Sequence, residues 1–228
     1  MMASRRRSYT FTTSPNIFRK RSSSNPINFR VVVLGTPAVG KTALMVRYTT
    51  RRFIGEYDPT LETLCHYSTT IDGEAVTMEI LDTAGHAQNS RGRLNSYSYW
   101  GDAFLFVYSI TDPLSFAEIL NIRQVVSQTI GSDHVPGVLV GNKVDLEDNE
   151  RTISEAEGRI LASQMQVPFF EISAKDGREI QTVTEVYQNL YRDWRKKQLN
   201  LDGSRKTKIT SQWKKAINKL IRSNRYSV

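Results

Sequence analysis

Apolar positions along the chain alternate between short continuous runs, which are typical of buried strands, and longer segments in which they recur every three or four residues, as in helices. The strand-like runs occupy residues 31–34, 103–109, 137–140 and 169–172, and the helical segments occupy residues 40–51, 115–130, 154–165 and 180–194. Between them, residues 64–71 and 75–81 flank an Asp72-Gly73 pair, which favours a tight hairpin turn. This order predicts an α/β fold: a mostly parallel six-stranded sheet with one antiparallel edge strand and helices on both faces.

Charge divides the chain into three parts. Residues 1–30 carry a net charge of +7 without any acidic residue, and residues 192–228 carry +10, so the segment between them carries −9 within the total of +8. Residues 1–28 are polar and broken by prolines, which predicts a disordered basic arm, with a mitochondrial transit peptide as the less favoured alternative. Residues 29–194 are the predicted globular domain, and residues 195–228 are a basic tail with an amphipathic helix. The single cysteine, Cys65, excludes an internal disulfide and favours a reducing compartment.

The first motif comes directly after the first strand. Residues 35–42 read GTPAVGKT and fit the pattern GxxxxGK[ST], in which glycines let backbone N–H groups turn toward phosphate oxygens. Lys41 adds a positive charge, Thr42 can offer its hydroxyl to Mg²⁺, and the following helix points its positive end at the anion. A chance glycine turn is the alternative. The residues predicted to bind phosphate are Gly35, Ala38, Val39, Gly40, Lys41, Thr42 and Ala43.

A second group of residues follows the second strand of the hairpin. Asp82 can hold Mg²⁺ there, directly or through water, and Gly85 offers a backbone N–H near a terminal phosphate. An aspartate after a strand is more often a turn or a helix cap. With Lys41 and Thr42 upstream, the metal role is the favoured one.

A third group predicts the base. Asn142, Lys143 and Asp145 form an NKxD pattern after the strand of residues 137–140. The Asp145 carboxylate can accept hydrogen bonds from N1–H and the exocyclic amine of guanine, which adenine cannot supply, so GTP is favoured over ATP and a P-loop ATPase or kinase is disfavoured. The Lys143 stem can cover the base. The next strand end carries Ser173, Ala174 and Lys175, which could supply a backbone N–H to the guanine carbonyl.

These motifs make residues 29–194 resemble the small GTPases of the Ras superfamily, and residues 51–62, 78–85 and 213–220 resemble its estrogen-regulated growth inhibitor branch. The resemblance implies the P-loop GTPase fold, binding of GTP and GDP with Mg²⁺, and hydrolysis of GTP to GDP and phosphate. It also implies that Thr60 coordinates Mg²⁺ and contacts the γ-phosphate, that Phe53 packs beside the guanine, and that Tyr57 closes over the phosphates. The catalytic residues it implies are Lys41, Thr60, Gly85 and His86.

The resemblance further implies two switch segments, residues 55–63 and 82–100, which change order when the γ-phosphate is lost. Leu61 and Glu62 would present an edge to effector proteins in one nucleotide state. Exchange and activating proteins are the other implied partners. Residues 87–100 are poor in strong helix formers, so a stable helix is not expected in the second switch.

Two residues depart from the family's pattern. His86 stands where a glutamine usually orients the attacking water, and an imidazole lacks the paired amide donor and acceptor, so intrinsic hydrolysis should be slow. Pro37 replaces a glycine of the phosphate loop but projects no long side chain, so nucleotide binding should survive. The alternative from another class is a GTP-binding interaction module with little or no turnover.

The basic tail has its own pattern. Apolar residues within 205–225 recur at helical spacing with basic residues between them, which predicts binding to an anionic membrane or to a calmodulin-like protein; nuclear import is an alternative, and nucleic acid is the least favoured partner. The sequence ends without a prenylatable cysteine and begins without a myristoylation glycine, so membrane attachment is expected to be electrostatic and reversible. The expected location is the cytoplasm, with reversible association with the inner plasma membrane, or the nucleus.

Overall fold

The computed structural model describes residues 7–11, 25–53, 62–85 and 91–200, with the backbone alone for residues 7–11 and 149. The chain divides into two compact units, residues 1–191 and residues 192–228. In the second unit the described residues, 192–200, are helical. No helix within the described ranges is long and apolar enough to cross a bilayer.

A seven-stranded sheet forms the centre of the first unit. In chain order its strands are β1 (Arg7–Phe11), β2 (Ile27–Leu34), β3 (Thr63–Ile71), β4 (Glu74–Asp82), β5 (Ala103–Ser109), β6 (Gly137–Asn142) and β7 (Phe169–Ile172). Their order across the sheet is β1-β3-β4-β2-β5-β6-β7. Strand β3 runs antiparallel to β4, and the other neighbouring pairs are parallel. The predicted α/β sheet is therefore confirmed.

Strand β1 corrects two details of the prediction. Its five residues lie in the arm that was predicted to be disordered, yet they pair in parallel with residues 63–67 of β3. Strand β3, predicted as the edge, consequently has a neighbour on both sides. An unpaired edge presents free N–H and C=O groups, and the segment RSYTF contains the β-favouring residue types Tyr, Thr and Phe. The rest of residues 1–24 lies outside the described part of the chain.

The helices are α1 (Lys41–Thr50), α2 (Arg91–Trp100), α3 (Pro113–Ile130), α4 (Glu147–Glu150), α5 (Glu155–Met165) and α6, which begins at residue 180. Helices α3 and α5 begin at side-chain caps. The Asp112 carboxylate accepts the backbone N–H groups of Leu114 and Ser115 at the start of α3, and Ser154 and Glu157 form a capping box at α5. These caps fix where α3 and α5 begin.

Helix α2 forms although its composition predicts none. Leu94 and Tyr97 are 3 % and 4 % exposed and join the core cluster that includes residues of α3. Burial of these side chains outweighs the weak helix propensity of the segment. The expectation of an unstable second-switch helix is therefore wrong for residues 91–100, while residues 86–90 lie outside the described ranges.

Apolar side chains cover both faces of the sheet. All seven residues of β5 are buried, and Phe106 and Tyr108 share one core cluster with Ile119 of α3. On the opposite face Tyr48 of α1 stacks on Tyr187 of α6, with ring centroids 4.0 Å apart. Because both faces are closed, polar chemistry is confined to the strand ends, where parallel sheets place their ligands.

Candidate functional site

The loop of residues 35–42 joins the carboxyl end of β2 to α1. Ala38 and Gly40 have positive φ angles of 60° and 98°, so the chain turns sharply before the helix. A Cβ atom at Gly40 would lie 2.1 Å from Nδ2 of Asn142, which makes glycine necessary there. The same amide donates to the carbonyl of Val39 at 2.8 Å. The loop is thus clamped against the end of β6.

Lys41 lies under this loop, with only 5 % of its surface exposed. Its ammonium donates to the carbonyls of Gly35 and Thr36, both at 2.8 Å. Burial lowers the pKa of Lys41 to about 8, against the opposing attraction of Asp82. The group is therefore still mostly protonated at neutral pH, and an ammonium has three N–H donors, so one more can reach a ligand oxygen.

Asp82 and Thr42 form the next part of the site. The Thr42 hydroxyl donates to Oδ2 of Asp82 at 2.5 Å, while Oδ1 is buried and has no hydrogen-bond partner among the described residues. Burial raises the pKa of Asp82 to about 6, although the Thr42 hydrogen bond and Lys41 oppose the shift. A buried carboxylate oxygen without a donor, beside a hydroxyl, suits a hard cation such as Mg²⁺.

This donor set is small. Within the described ranges no group of three or more His, Cys, Asp or Glu side chains is arranged to hold a metal. Mg²⁺ typically takes one or two protein carboxylates and completes its shell with water and phosphate oxygens. The pair of Asp82 and Thr42 therefore fits a cation that arrives with a phosphate ligand.

A cavity of about 370 Å³ opens beside the loop. The structure brings many of the predicted residues together around it, from the ends of β2, β6 and β7. Its lining residues are Ala38, Gly40, Ala43, Phe53, Asn142, Lys143, Asp145, Leu146, Ala174 and Lys175. Leu146 was not predicted, and the sequence marks it only by its position after Asp145.

Asn142 and Ser173 hold the strand ends in place from within. Oδ1 of Asn142 accepts the backbone N–H of Ala174 at 3.0 Å, so one side chain joins the phosphate loop to the segment after β7. Ser173 donates to Oδ1 of Asp145 at 2.6 Å and accepts the backbone N–H of Lys175 at 3.2 Å. The backbone N–H groups of Ala174 and Lys175 thus already have acceptors within the protein.

Asp145 keeps an open side toward the cavity. Its side chain is 25 % exposed, and Oδ2 lies 3.9 Å from the ammonium of Lys175. Ser173 orients one carboxylate oxygen and Lys175 partly neutralises the other. The carboxylate is therefore held in position and can accept further N–H groups.

Gly85 lies against the phosphate loop from the end of β4. A Cβ atom at Gly85 would come within 2.5 Å of both N and Cα of Pro37, which are backbone atoms that cannot move aside locally. Pro37, which replaces the family's glycine in the loop, therefore lies against Gly85, which is predicted to reach a terminal phosphate.

Several predicted residues cannot be placed. Tyr57, Thr60 and His86, together with residues 54–61 and 86–90 of the switch segments, lie outside the described ranges. Glu62 is described and is 5 % exposed, with its carboxylate accepting the hydroxyl of Tyr97. In this arrangement Glu62 is paired within the protein, and an effector edge formed by Leu61 and Glu62 in one nucleotide state stays a prediction.

Arg47 is a residue of the site that the sequence did not indicate. It lies on α1, is 6 % exposed, and contacts the segment of Ala174 and Lys175. The sequence around a single helical arginine does not indicate which residues it contacts more than a hundred positions away.

Comparison with known proteins agrees with this geometry. The model of the Ras family matches residues 30–196. The chain is 41 % identical over 192 residues to the Ras-related and estrogen-regulated growth inhibitor of Bos taurus, covering 84 % of this chain and 94 % of that protein, and 40 % identical to the human protein of that name over the same shares. It is also 41 % identical over 164 residues to Ras-like protein 1 of Saccharomyces cerevisiae, covering 72 % of this chain and 52 % of that protein.

Proposed function

Because the chain belongs to the Ras family, in the branch of the estrogen-regulated growth inhibitor, we propose that it is a switch that binds GTP and GDP with Mg²⁺ and hydrolyses GTP slowly. One observation carries this proposal: Lys41, Thr42 and Asp82 meet at the same sheet edge as a cavity with Asp145 in its wall. That arrangement suits a ligand with phosphates at one end and a guanine at the other.

The phosphate end rests on the loop and on Lys41. A turn of this kind before a helix N-terminus favours an anion, and the buried ammonium adds a charge that little water screens. Since Lys41 is tied to the carbonyls of Gly35 and Thr36, it needs little reorganisation to meet a phosphate. We expect positioning and charge, rather than a covalent step, to dominate catalysis by this chain.

The metal would lie beside the phosphates. Thr42 and Asp82 would hold Mg²⁺, and Thr60 is the third proposed ligand through the family resemblance. When bound, the cation supplies positive charge against the phosphate oxygens. Oδ1 of Asp82, which has no hydrogen-bond partner within the described ranges, supports this assignment.

The base end rests on Asp145. Guanine offers two adjacent N–H donors to a carboxylate, and adenine in the same pose would leave that carboxylate without partners. The Ser173 hydrogen bond and the nearby Lys175 ammonium support a fixed orientation of the Asp145 side chain. Phe53, which is 42 % exposed at the cavity, would cover one face of the base.

We propose slow intrinsic hydrolysis of GTP because His86 stands where the family usually has a glutamine. Its imidazole can hydrogen-bond water but does not offer the paired donor and acceptor of a glutamine amide. Single-turnover hydrolysis of GTP by the protein and by a His86→Gln variant tests this, with faster hydrolysis expected for the variant. Equal rates would mean that His86 is not what limits turnover.

A second candidate function is a GTP-bound interaction module with no meaningful turnover, which the same residue favours. Partner-stimulated hydrolysis would argue against it. In either case the proposed contacts with effector proteins use residues 55–63 and 82–100, and exchange and activating proteins would act on the same segments.

The location is also a proposal. The +10 charge of residues 192–228 suits reversible binding to an anionic membrane from the cytoplasm, with a calmodulin-like partner or nuclear import as alternatives. Flotation with liposomes that contain or lack anionic lipid would test it. Failure to float with anionic liposomes at low salt would remove the membrane proposal.

The most direct test of the whole proposal is to release the nucleotide that co-purifies with the protein and identify it by chromatography. We expect guanine nucleotide, with GDP and GTP in a ratio that reports turnover. Equal or tighter binding of adenine nucleotides would contradict the proposal.

A further inference from the structure

Arg47 is a buried cation whose hydrogen-bond acceptors are backbone carbonyls. Its Nε–H donates to the carbonyl of Ala174 at 2.9 Å, and Nη2 donates to the carbonyl of Lys175 at 2.7 Å. Nη1 donates to the carbonyl of Arg51 at 3.2 Å. The rigid, planar fork of the guanidinium lets its three nitrogens each donate to a different carbonyl in a fixed geometry.

Two of these carbonyls belong to one wall of the cavity. Ala174 and Lys175 line it, and their carbonyls are directed at Arg47. On the same segment, Ser173 donates to Asp145. The peptide groups that Arg47 holds therefore directly follow Ser173, the residue that orients the Asp145 carboxylate.

Arg47 also contacts the segment that carries the opposite wall of the cavity, through its hydrogen bond to the carbonyl of Arg51 and through its guanidinium plane. Arg51 is the C-cap of α1, and Phe53 follows it by two residues at the cavity. The guanidinium carbon of Arg47 lies 5.9 Å from the ring centroid of Phe53, a distance at which a cation is attracted to an aromatic face. One side chain thus connects both walls from behind.

We infer that Arg47 is a positioning residue for base recognition: it fixes the segment of Ala174 and Lys175 relative to Phe53, and so sets the distance between Asp145 and the base. This inference rests on the proposed function of the cavity. It assigns Arg47 no contact with the nucleotide. Loss of Arg47 should weaken binding of the guanine base. It should leave binding of the phosphates, which Lys41 and Thr42 would hold, unchanged.

The consequence can be measured as base discrimination. Inosine diphosphate differs from GDP only by lacking the exocyclic amine that Asp145 would accept. A correctly placed carboxylate therefore retains GDP longer than inosine diphosphate, and a displaced carboxylate loses part of that preference. A purely structural role for Arg47 would change both release rates by one common factor.

The experiment uses the full chain loaded with fluorescent GDP or fluorescent inosine diphosphate, and follows release after a chase with excess unlabelled GDP. We expect Arg47→Met to speed GDP release about tenfold, since charge-assisted hydrogen bonds are lost, and to speed release of inosine diphosphate distinctly less. Arg47→Lys keeps the charge but not the fork and should fall between the two proteins. Arg52→Met, which removes an exposed arginine nearby, is the matched control and should change neither rate.

Two results would overturn the inference: an unchanged GDP release rate, or equal acceleration for both nucleotides. If Arg47→Met does not fold, the ratio of the two release rates for Arg47→Lys decides in the same way. Failure of the proposed function itself looks different, because the unsubstituted protein would then show no preference for GDP over ADP.

Discussion

The hydroxyl of Tyr97 on α2 donates a hydrogen bond to the carboxylate of Glu62, which stands directly before β3. Both residues are nearly buried, and Arg93 of the same helix lies 4.0 Å from the carboxylate. The end of the proposed first switch segment is thereby connected to a helix of the proposed second one. A partner that binds the Glu62 carboxylate must first separate this pair.

Replacing Tyr97 by Phe tests the strength of that connection. The variant keeps the ring in the core but leaves a buried carboxylate with one donor fewer, so the free energy of unfolding should fall by about 1–3 kcal/mol. Urea unfolding measures this as a lower midpoint with an unchanged slope. Tyr99→Phe, at a residue that is 75 % exposed, should leave the midpoint unchanged. Equal midpoints for Tyr97→Phe and the unsubstituted protein would show that the pair contributes nothing.

Replacing Asp145 by Asn tests base selection. Xanthine carries a carbonyl where guanine carries the exocyclic amine, so the N–H of an asparagine amide suits xanthine and repels the guanine pattern. We expect the affinity for GDP to fall about a hundredfold and that for xanthosine diphosphate to rise. Competition titration measures both, with Asp148→Asn, an exposed residue beside the site, as the control. Parallel loss of both nucleotides would mean that Asp145 supports the fold rather than reads the base.

The pKa of Asp82 predicts how stability depends on pH. Because burial raises this pKa to about 6 from 3.8, the folded state without nucleotide and metal binds more protons between these values than the unfolded state. Stability should therefore fall as the pH rises through this window, by about 3 kcal/mol in total. Unfolding with denaturant between pH 4 and 7 measures the slope.

Two comparisons isolate Asp82 in that measurement. Asp82→Asn should remove this part of the slope and make the nucleotide-free protein more stable at pH 7. Addition of GDP and Mg²⁺ to the unsubstituted protein should also flatten the slope, since a bound cation keeps the carboxylate ionised. A steeper loss of stability toward low pH in the nucleotide-free protein would contradict the assignment.

Replacing Gly85 by Ala tests the contact with Pro37. The new Cβ would stand 2.5 Å from backbone atoms of Pro37, so the two segments must move apart. Gly85 is proposed to meet only the terminal phosphate. Affinity for a non-hydrolysable GTP analogue should therefore fall about tenfold, the loss of one hydrogen bond to a charged group, while that for GDP stays nearly unchanged. Calorimetric titration of both nucleotides measures the ratio, and an equal loss for both would refute the proposed role of Gly85.

Local patterns explain what the sequence predicted. The loop of Gly35 to Thr42, Asp82 and the hairpin at Asp72 are each determined within a few residues, and the parallel sheet brings its strand ends together without further information. The residues that were missed depend on partners far along the chain. Arg47 contacts residues 127 and 128 positions away, and Tyr97 is 35 positions from Glu62. Helix α2 and strand β1 likewise form against surfaces that their own composition does not reveal.

The single cysteine of the chain determines how movement of α2 can be measured with a label. Cys65 lies within β3 with 1 % of its surface exposed, and burial raises the pKa of the thiol, so it should react slowly with maleimides. A cysteine introduced at the exposed Tyr99 of α2 would then take up a fluorophore or spin label almost alone. Displacement of α2 between the protein loaded with GDP and the protein loaded with a GTP analogue could then be measured with this single substitution.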